Sequence, residues 1–467
     1  MDYTNLKSIW AKKFETVPEQ LDKIKKIPAV ATAFNTNIDA IIKISASKLK
    51  DLIVKYNIAL EDIENINLSK FRTPTDVIIG IVKCFSKGIA EEWVTEDINV
   101  YKWMEDNLGY DKLQMGGQGG IIANAMGLLG IPEVIVHTNS HPKTQAEQFL
   151  DLDNIIGFNE KGNVQKAYSI SRNEDIPLIH WIIEFDKGDT FSIYGKTFTC
   201  PKSNRFIATY DPLNMKLVMN KDFVSYINNN KIDYMLLSGF HPLLESNDGI
   251  NLINKAVDVI NNWKLSNPNM IIHLEVASTQ DIAIRKAIID KIAPLAQSIG
   301  LNERETIDLL EITNQTELAK QTEENTNSCN LFNAILFLKK LLKPKRIQLH
   351  MFGLYLTIQD KDFKYSAEDN QKGMMTASVV SSSKALNGEI AKYEDITKTL
   401  GLLVSDQGLN ELCSLANMIN KPELIETGVC EYDGFMVSAI PTILIDKPKT
   451  LVGMGDTISS VSLLAGR

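Results

Sequence analysis

The stretch Lys447–Arg467, KPKTLVGMGDTISSVSLLAGR, runs from an apolar segment through Gly453-Met454-Gly455 into a run that reads as a helix from Asp456 onward. Thr450–Val452 are expected to end a strand, so the glycines sit at a strand-to-helix join. Such a join is the repeating unit of α/β folds. Two glycines there let the backbone come close to a guest. The first turn of a helix has unpaired N–H groups and a partial positive charge, so that guest is expected to be an anion.

Working outward, the same rhythm recurs. Residues 4–26 read as amphipathic helix, and IPAVATAFNTNIDAI reads as a buried strand ending on the polar cluster Asn35–Asp39. Residues 46–110 are mainly helical and charged. MGGQGGIIANAMGLLG, Met115 to Gly130, is a glycine turn opening a helix of small residues, followed by the strand IPEVIVHT. YMLLSGF, MIIHLEV and RIQLHMFG are further strands, with helices expected over 248–264 and 279–298. From Asn163 to Leu213 the pattern changes: AYSISR, LIHWIIEF, TFSIYGKTF and RFIATY are β-rich without intervening helices. The reading is one large α/β domain (1–30, 46–160 and 218–467) with a discontinuous β-rich lid (31–45 and 161–217).

Composition narrows the function. The 467 residues are 44% hydrophobic and 23% charged, with a net charge of −9 and both signs interspersed, which gives no footprint for nucleic acid. Five widely spaced cysteines, without a CxxC or Cys/His cluster, indicate neither zinc nor a disulfide framework. The first residues lack the apolar core of a signal peptide, and no apolar run reaches the roughly 18 residues of a membrane span. A cytoplasmic protein is expected.

Several polar clusters follow expected strands, the edge of an open α/β sheet where ligands bind. Each has an ordinary alternative. Asp39 suits a turn or cap, GGQGG suits a tight helix entry, His273 suits a satisfied core histidine, and Asn302-Glu303-Arg304-Glu305 suits a helix cap. Glu275, flanked by apolar residues, needs a buried partner. Taken together they support sugar phosphorylation. Asp456 is placed to act as base, the glycine backbone to stabilise the transferred phosphoryl, and Glu275 and Glu305 to serve as the sparse carboxylates that magnesium prefers. Neither a Walker A sequence nor a G-x-G-x-x-G fingerprint is present.

The set AFNTNID, GGQGG, HLE, NERE and GMGDTIS, in this order along nearly the whole chain, resembles the ADP-dependent sugar kinases of archaea, within the ribokinase-like superfamily. The resemblance implies a large three-layer α/β domain capped by a lid, and a glycolytic enzyme passing phosphoryl from ADP to a sugar with one or two Mg2+ ions. It implies Asp456 as base and also near the metal, Gly453 and Gly455 as anion hole, Glu275 and Glu305 as metal acids, and Arg205 as a phosphate contact from the lid. Asn302, His350, Met351, Ile440, Ile445 and Gly455 match the ADP-contacting positions. Asn35, Asn37, Asp39, Gly116, Gly117, Gln118 and His180 match the sugar-contacting ones.

Family glucokinases use an acid from the segment before GGQGG, read here as helical, where KGIAEEW offers Glu91 and Glu92; Glu92 is favoured. Adjacent glutamates on a helix are otherwise a solvated face. Lys166, Arg172, Arg205 and Lys216 are available to a sugar 6-phosphate. Both features together indicate the bifunctional phosphofructokinase/glucokinase type, with fructose 6-phosphate the principal acceptor, in a monomer whose partners are small molecules. The alternatives are a glucokinase only, an ATP-dependent sugar kinase of the same superfamily, and a silent nucleotide- or sugar-binding protein.

Overall fold

A computed structural model describes residues 3–64, 71–279 and 281–467. Its spine is an 11-stranded sheet. The strands lie in the order Val429–Tyr432, Phe435–Pro441, Leu354–Gln359, Arg346–Met351, Ser298–Leu301, Ile271–Glu275, Tyr234–Leu237, Ala29–Ala33, Glu133–Val136, Ile155–Phe158 and Val164–Lys166. From Ile155–Phe158 across to Arg346–Met351 neighbouring strands run parallel, and the outer pairings are antiparallel. Helices cover both faces, so strands such as AVATA and YMLL are buried along their whole length. All the parallel strands point their carboxyl ends to one edge. The helices Ala367–Asn387 and Met454–Ala465 pack against each other so closely that a Cβ on Gly373 would lie 2.2 Å from the Ser462 carbonyl oxygen. Glycine is what lets them close.

A second sheet of five strands has the order Glu91–Thr95, Asn204–Tyr210, Ile179–Phe185, Asn37–Lys43 and Lys112–Gly116. Helices Ala46–Lys55, Pro74–Lys87 and Ile98–Asn107 build a separate apolar core on it, with Ile78, Trp93, Trp181 and Phe206 fully buried. The chain passes between the two sheets at residues 34–36 and again at Gly117.

The α/β class matches expectation, and five details are corrected. IPAVATAFNTNIDAI is two strands in different sheets, not one. Residues 46–64 and 71–116, expected in the large domain, pack with the small sheet, because their apolar helical faces need a partner and the strands Glu91–Thr95 and Lys112–Gly116 pair there. Residues 161–178, expected in the lid, do not join that sheet: Val164–Lys166 pairs with Ile155–Phe158 in the large one, and Ala167–Ser169 is a 3-10 turn rather than a strand. The expected helix 279–298 is shorter, running over Ile282–Ala287 into a π turn at Ile288–Ile292 and a 3-10 turn holding Pro294; residues from Ser298 form a strand, so Asn302 follows a strand. Thr450–Val452 are loop, and the preceding strand ends at Pro441.

No helix among the described residues is long and apolar enough to cross a membrane.

Candidate active site

Helix Met454–Ala465 begins at the edge where the parallel strands end, and Gly453 before it holds a left-handed φ of +62°. A side chain there would be strained and would strike Ile121 and Lys384. Gly455 is as confined, since a Cβ would lie 2.7 Å from His350 Nε2. Asp456, in the first turn, is buried and accepts a hydrogen bond from Gln118 Nε2 at 2.9 Å on Oδ1. Gln118 Oε1 in turn accepts the Gly239 N–H at 3.2 Å. Asp456 is thus clamped by a side chain that is itself clamped. Burial raises the Asp456 pKa, against the Gln118 hydrogen bond and the charge of Lys384.

Two more acids face this loop. Glu275 ends the strand Ile271–Glu275, and Glu305 is the third residue of helix Glu303–Ile312. Glu305 completes a capping box with Asn302, its Oε2 accepting the Asn302 N–H at 2.8 Å while Asn302 Oδ1 accepts the Glu305 N–H at 3.0 Å. Burial pushes Glu275 well above the usual carboxylate range, and the charges of Glu305 and Asp456 add to it. Glu305 is pushed up to about 8 by burial, opposed by its bond from Asn302. Among the described residues no group of three or more His, Cys, Asp or Glu forms a ready metal cage. What exists is a pair of buried, mutually repelling carboxylates, a charge deficit that a divalent cation relieves. That donor set fits magnesium completed by water and phosphate oxygens.

Beneath these acids the sheet is polar. Arg346, fully buried, donates to Asn370, Ser298 and Ser462 at 2.6, 3.0 and 2.9 Å. His273 bonds Ser298 through Nδ1 and Glu275 through Nε2, at 2.9 and 3.3 Å, as a satisfied core histidine does. His350 Nε2 lies 3.6 Å from Glu275, and burial holds that imidazole down at about 4, so it stays neutral.

The residues expected to contact sugar lie on the small sheet (Asn37, Asp39, Gly116, His180), in the link before it (Asn35) and at the glycine turn into helix Gln118–Leu128 (Gly117, Gln118). Asp39 is buried, accepts from Asn37 Nδ2 at 3.1 Å, and is pushed up by burial to about 6. A Cβ on Gly116 would sit 2.2 Å from Asp39 Oδ1, and Gly117 has a φ of +71°. The glycines leave room for these polar side chains and their guest. The side-chain oxygens of Asn35 and Asn37 are buried with no partner, hence available to a hydroxyl-rich ligand. His180 is paired to Asp39 across neighbouring strands, and its Nε2 bonds Asp211 at 3.0 Å. Burial pulls His180 down, but the hydrogen bond and charge of Asp211, with Glu92 and Asp39 behind it, outweigh that and lift it to about 8.

Glu92 is not on a helix: EEWVT is a strand, so Glu91 and Glu92 point to opposite faces. Glu91 pairs with Lys83 and accepts from the Trp93 indole, both at 2.8 Å. Glu92 accepts from Thr209 at 2.6 Å and lies 4.0 Å from His180 Nδ1. Asp211, Thr209 and His241 join this cluster without having been singled out in the sequence. His241 is near Glu92, His180 and Asp211, and its Nδ1 is buried without a partner.

Other expected contacts are less direct. Arg205 sits opposite Glu184 on the small sheet, with Nε buried and unpartnered. Ile440 is fully buried in its strand and faces core, so it forms no exposed wall; Met351 is also buried, whereas Ile445 is partly exposed. His350 packs under Gly455 rather than at an open surface. The Asn302 side-chain oxygen is occupied by its cap. Of the cations considered for a 6-phosphate, Lys166 is ion-paired with Asp151 and Asp153, and Arg172 with Asp175, while Lys216 is exposed.

Comparison with known proteins bears on this arrangement. The model of the ADP-specific phosphofructokinase/glucokinase conserved region matches residues 28–465. The chain is 32% identical to an ADP-dependent glucose/glucosamine kinase of Pyrococcus abyssi over 95% of its own length and 96% of that protein's. It is 29% identical to an ADP-specific phosphofructokinase of Methanosarcina acetivorans over 93% and 92% of the two chains. A solved structure of an ADP-dependent kinase in complex with fructose 6-phosphate and ADPβS superimposes with a TM-score of 0.84 at 29% identity, covering 100% of this chain and 98% of that one.

Proposed function

Because the chain belongs to the ADP-specific phosphofructokinase/glucokinase family, we propose that it transfers the β-phosphoryl of ADP to fructose 6-phosphate, and also to glucose, leaving AMP and the sugar phosphate. The observation that carries this reading is the clamp on Asp456. Gln118, next in the chain to the glycine turn that borders Asp39, bonds the acid at the helix entrance, so the proton acceptor is tied to the turn beside the sugar pocket.

The sugar sits against Asp39, Asn35, Asn37, Gly116, Gly117, Gln118 and His180, and its hydroxyl is presented to Asp456. ADP lies along the strand-end edge by Asn302, Ile445 and Gly455, with His350 and Met351 buried behind that edge, and with Arg205 reaching a phosphate from the smaller sheet. The sugar oxygen bonds to the β-phosphorus, the bond to the α-phosphate oxygen breaks, and the hydroxyl proton passes to Asp456. N–H groups of the first helical turn, framed by Gly453 and Gly455, face the charge spread over the phosphoryl oxygens. Glu275 and Glu305, near Asp456, would hold a magnesium ion, which would supply neutralisation of phosphate charge. Closure of the smaller sheet over the cleft as a lid excludes water as a competing acceptor.

Glucose as sole acceptor is the second reading. Glu92 is directed to His180, where a carboxylate grips a hydroxyl and repels a phosphate, and Lys166 and Arg172 are engaged elsewhere. The free cysteines and net charge of −9 support a cytoplasmic enzyme with small-molecule partners, read here as a monomer.

The test is to incubate the protein with magnesium and each sugar, supply ADP or ATP, and measure AMP and sugar phosphate. AMP formed in step with sugar phosphate is expected, faster with fructose 6-phosphate. Turnover with ATP alone overturns the donor, glucose alone selects the second reading, and nucleotide binding without turnover makes GMGD a binding loop only.

A further inference from the structure

Lys384 stands in the last turn of helix Ala367–Asn387, and neither the sequence motifs nor the steps above use it. A lysine there ordinarily serves its own helix, reaching its last carbonyls or solvent. This one turns away. Its Nζ donates to the Gly453 carbonyl at 3.2 Å, at the residue whose left-handed backbone opens the anion loop. A Cβ on Gly453 would lie 2.9 Å from the same nitrogen, so loop and ammonium are in contact. Asp456 and Asp39, on opposite sides of the cleft, are both within Coulombic reach. Lys384 also lines a cavity of about 320 Å³ together with Ile121, Val452 and Thr457.

An ammonium removed from water is costly unless its charge has a purpose. Burial lowers this one to about 8, while Asp456 and Asp39 act to keep it charged. A side chain needed only for packing would be apolar at this place.

We propose that Lys384 is a positioning residue of the phosphoryl-transfer site, its ammonium pinning the Gly453 carbonyl and setting a fixed positive charge behind the loop whose N–H groups face the phosphoryl. The inference rests on the functional reading above. It adds a fixed cation behind the anion loop, supplied by the long helix rather than by any of the family motifs.

The test uses the full chain. Lys384→Gln keeps a donor for Gly453 and removes the charge; kcat is expected to fall about 100-fold, with KM for ADP and sugar held within about threefold. Lys384→Ala joins the cavity to the loop, and added methylammonium or ethylammonium is expected to restore kcat by at least about tenfold while leaving the wild type unchanged. A Gln variant within about threefold of wild-type kcat overturns the proposal. So does a loss expressed in KM, or a folded Ala variant that no amine restores. If Lys384→Ala fails to fold, the Gln variant decides alone. A wild type that makes no AMP overturns the functional reading and this inference with it; an active wild type with an active Gln variant overturns the inference only.

Discussion

At the scale of single residues, Asp456 is a buried acid whose charged form is disfavoured by burial and retained by two partners, Gln118 and Lys384. Asp456→Asn removes the proton acceptor and a desolvated charge at once. Turnover is expected to fall by about 10²–10⁴-fold while the thermal midpoint holds or rises, checked by steady-state kinetics alongside a melt. Glu92→Gln leaves Thr209 a partner but takes the negative charge from beside His180; the ratio of glucose to fructose 6-phosphate kcat/KM should drop about tenfold or more, measured with both acceptors. Glu305 gives a pH effect with a definite sign. Its folded value of about 8 lies above the about 4.3 of an unfolded glutamate, so the folded state binds the proton more tightly. Stability of the metal-free protein therefore declines as pH rises between those values and levels off above them. His180, lifted to about 8, adds a decline of the same sign between about 6.5 and 8, while His137 and His350, both held near 4, act oppositely below about 6.5. The informative quantity is the difference: Glu305→Gln should remove its share of the fall, read from thermal midpoints across pH. Asp456, Glu275, Glu305 and Gln118 were legible because they belong to spaced motifs. Lys384, Thr209, Asp211 and His241 were not, since each is one residue in an unpatterned stretch and acquires meaning only when distant elements meet.

At the scale of elements, the strand-to-helix joins were legible through their glycines, and the errors came from short charged segments. EEWVT carries two acids in five residues, which hides its alternation and made it read as helix. Pairing with Asn204–Tyr210 overrides that local signal. The helix expected over 279–298 overruns into SIGL, the strand before NERE, because SIGL is only four residues long, yet both neighbouring strands pair with it. The turn Gly116-Gly117 is where element geometry and ligand geometry coincide. Gly117→Ala would force a side chain onto a φ of +71° with Asn37 Oδ1 2.6 Å from its Cβ. We expect a loss of about 1–3 kcal/mol in unfolding free energy and a raised sugar KM, measured by denaturant melts and kinetics.

At the scale of the whole molecule, two apolar cores were legible as a change of pattern, but not their membership. Helices 46–110 are amphipathic in either domain, and which sheet receives them is settled by long-range pairing that a periodicity cannot reveal. The two cores are joined by few chain crossings, and two of these, at residues 34–36 and Gly117, adjoin the side chains read as holding the sugar. The lid closure proposed above would therefore turn on the segments that the proposed sugar seat also uses. On that proposal a sugar in the seat would act as a hinge pin, stiffening the articulation before any nucleotide arrives. In small-angle X-ray scattering, acceptor alone should shrink the radius of gyration, and ADP alone should shrink it less.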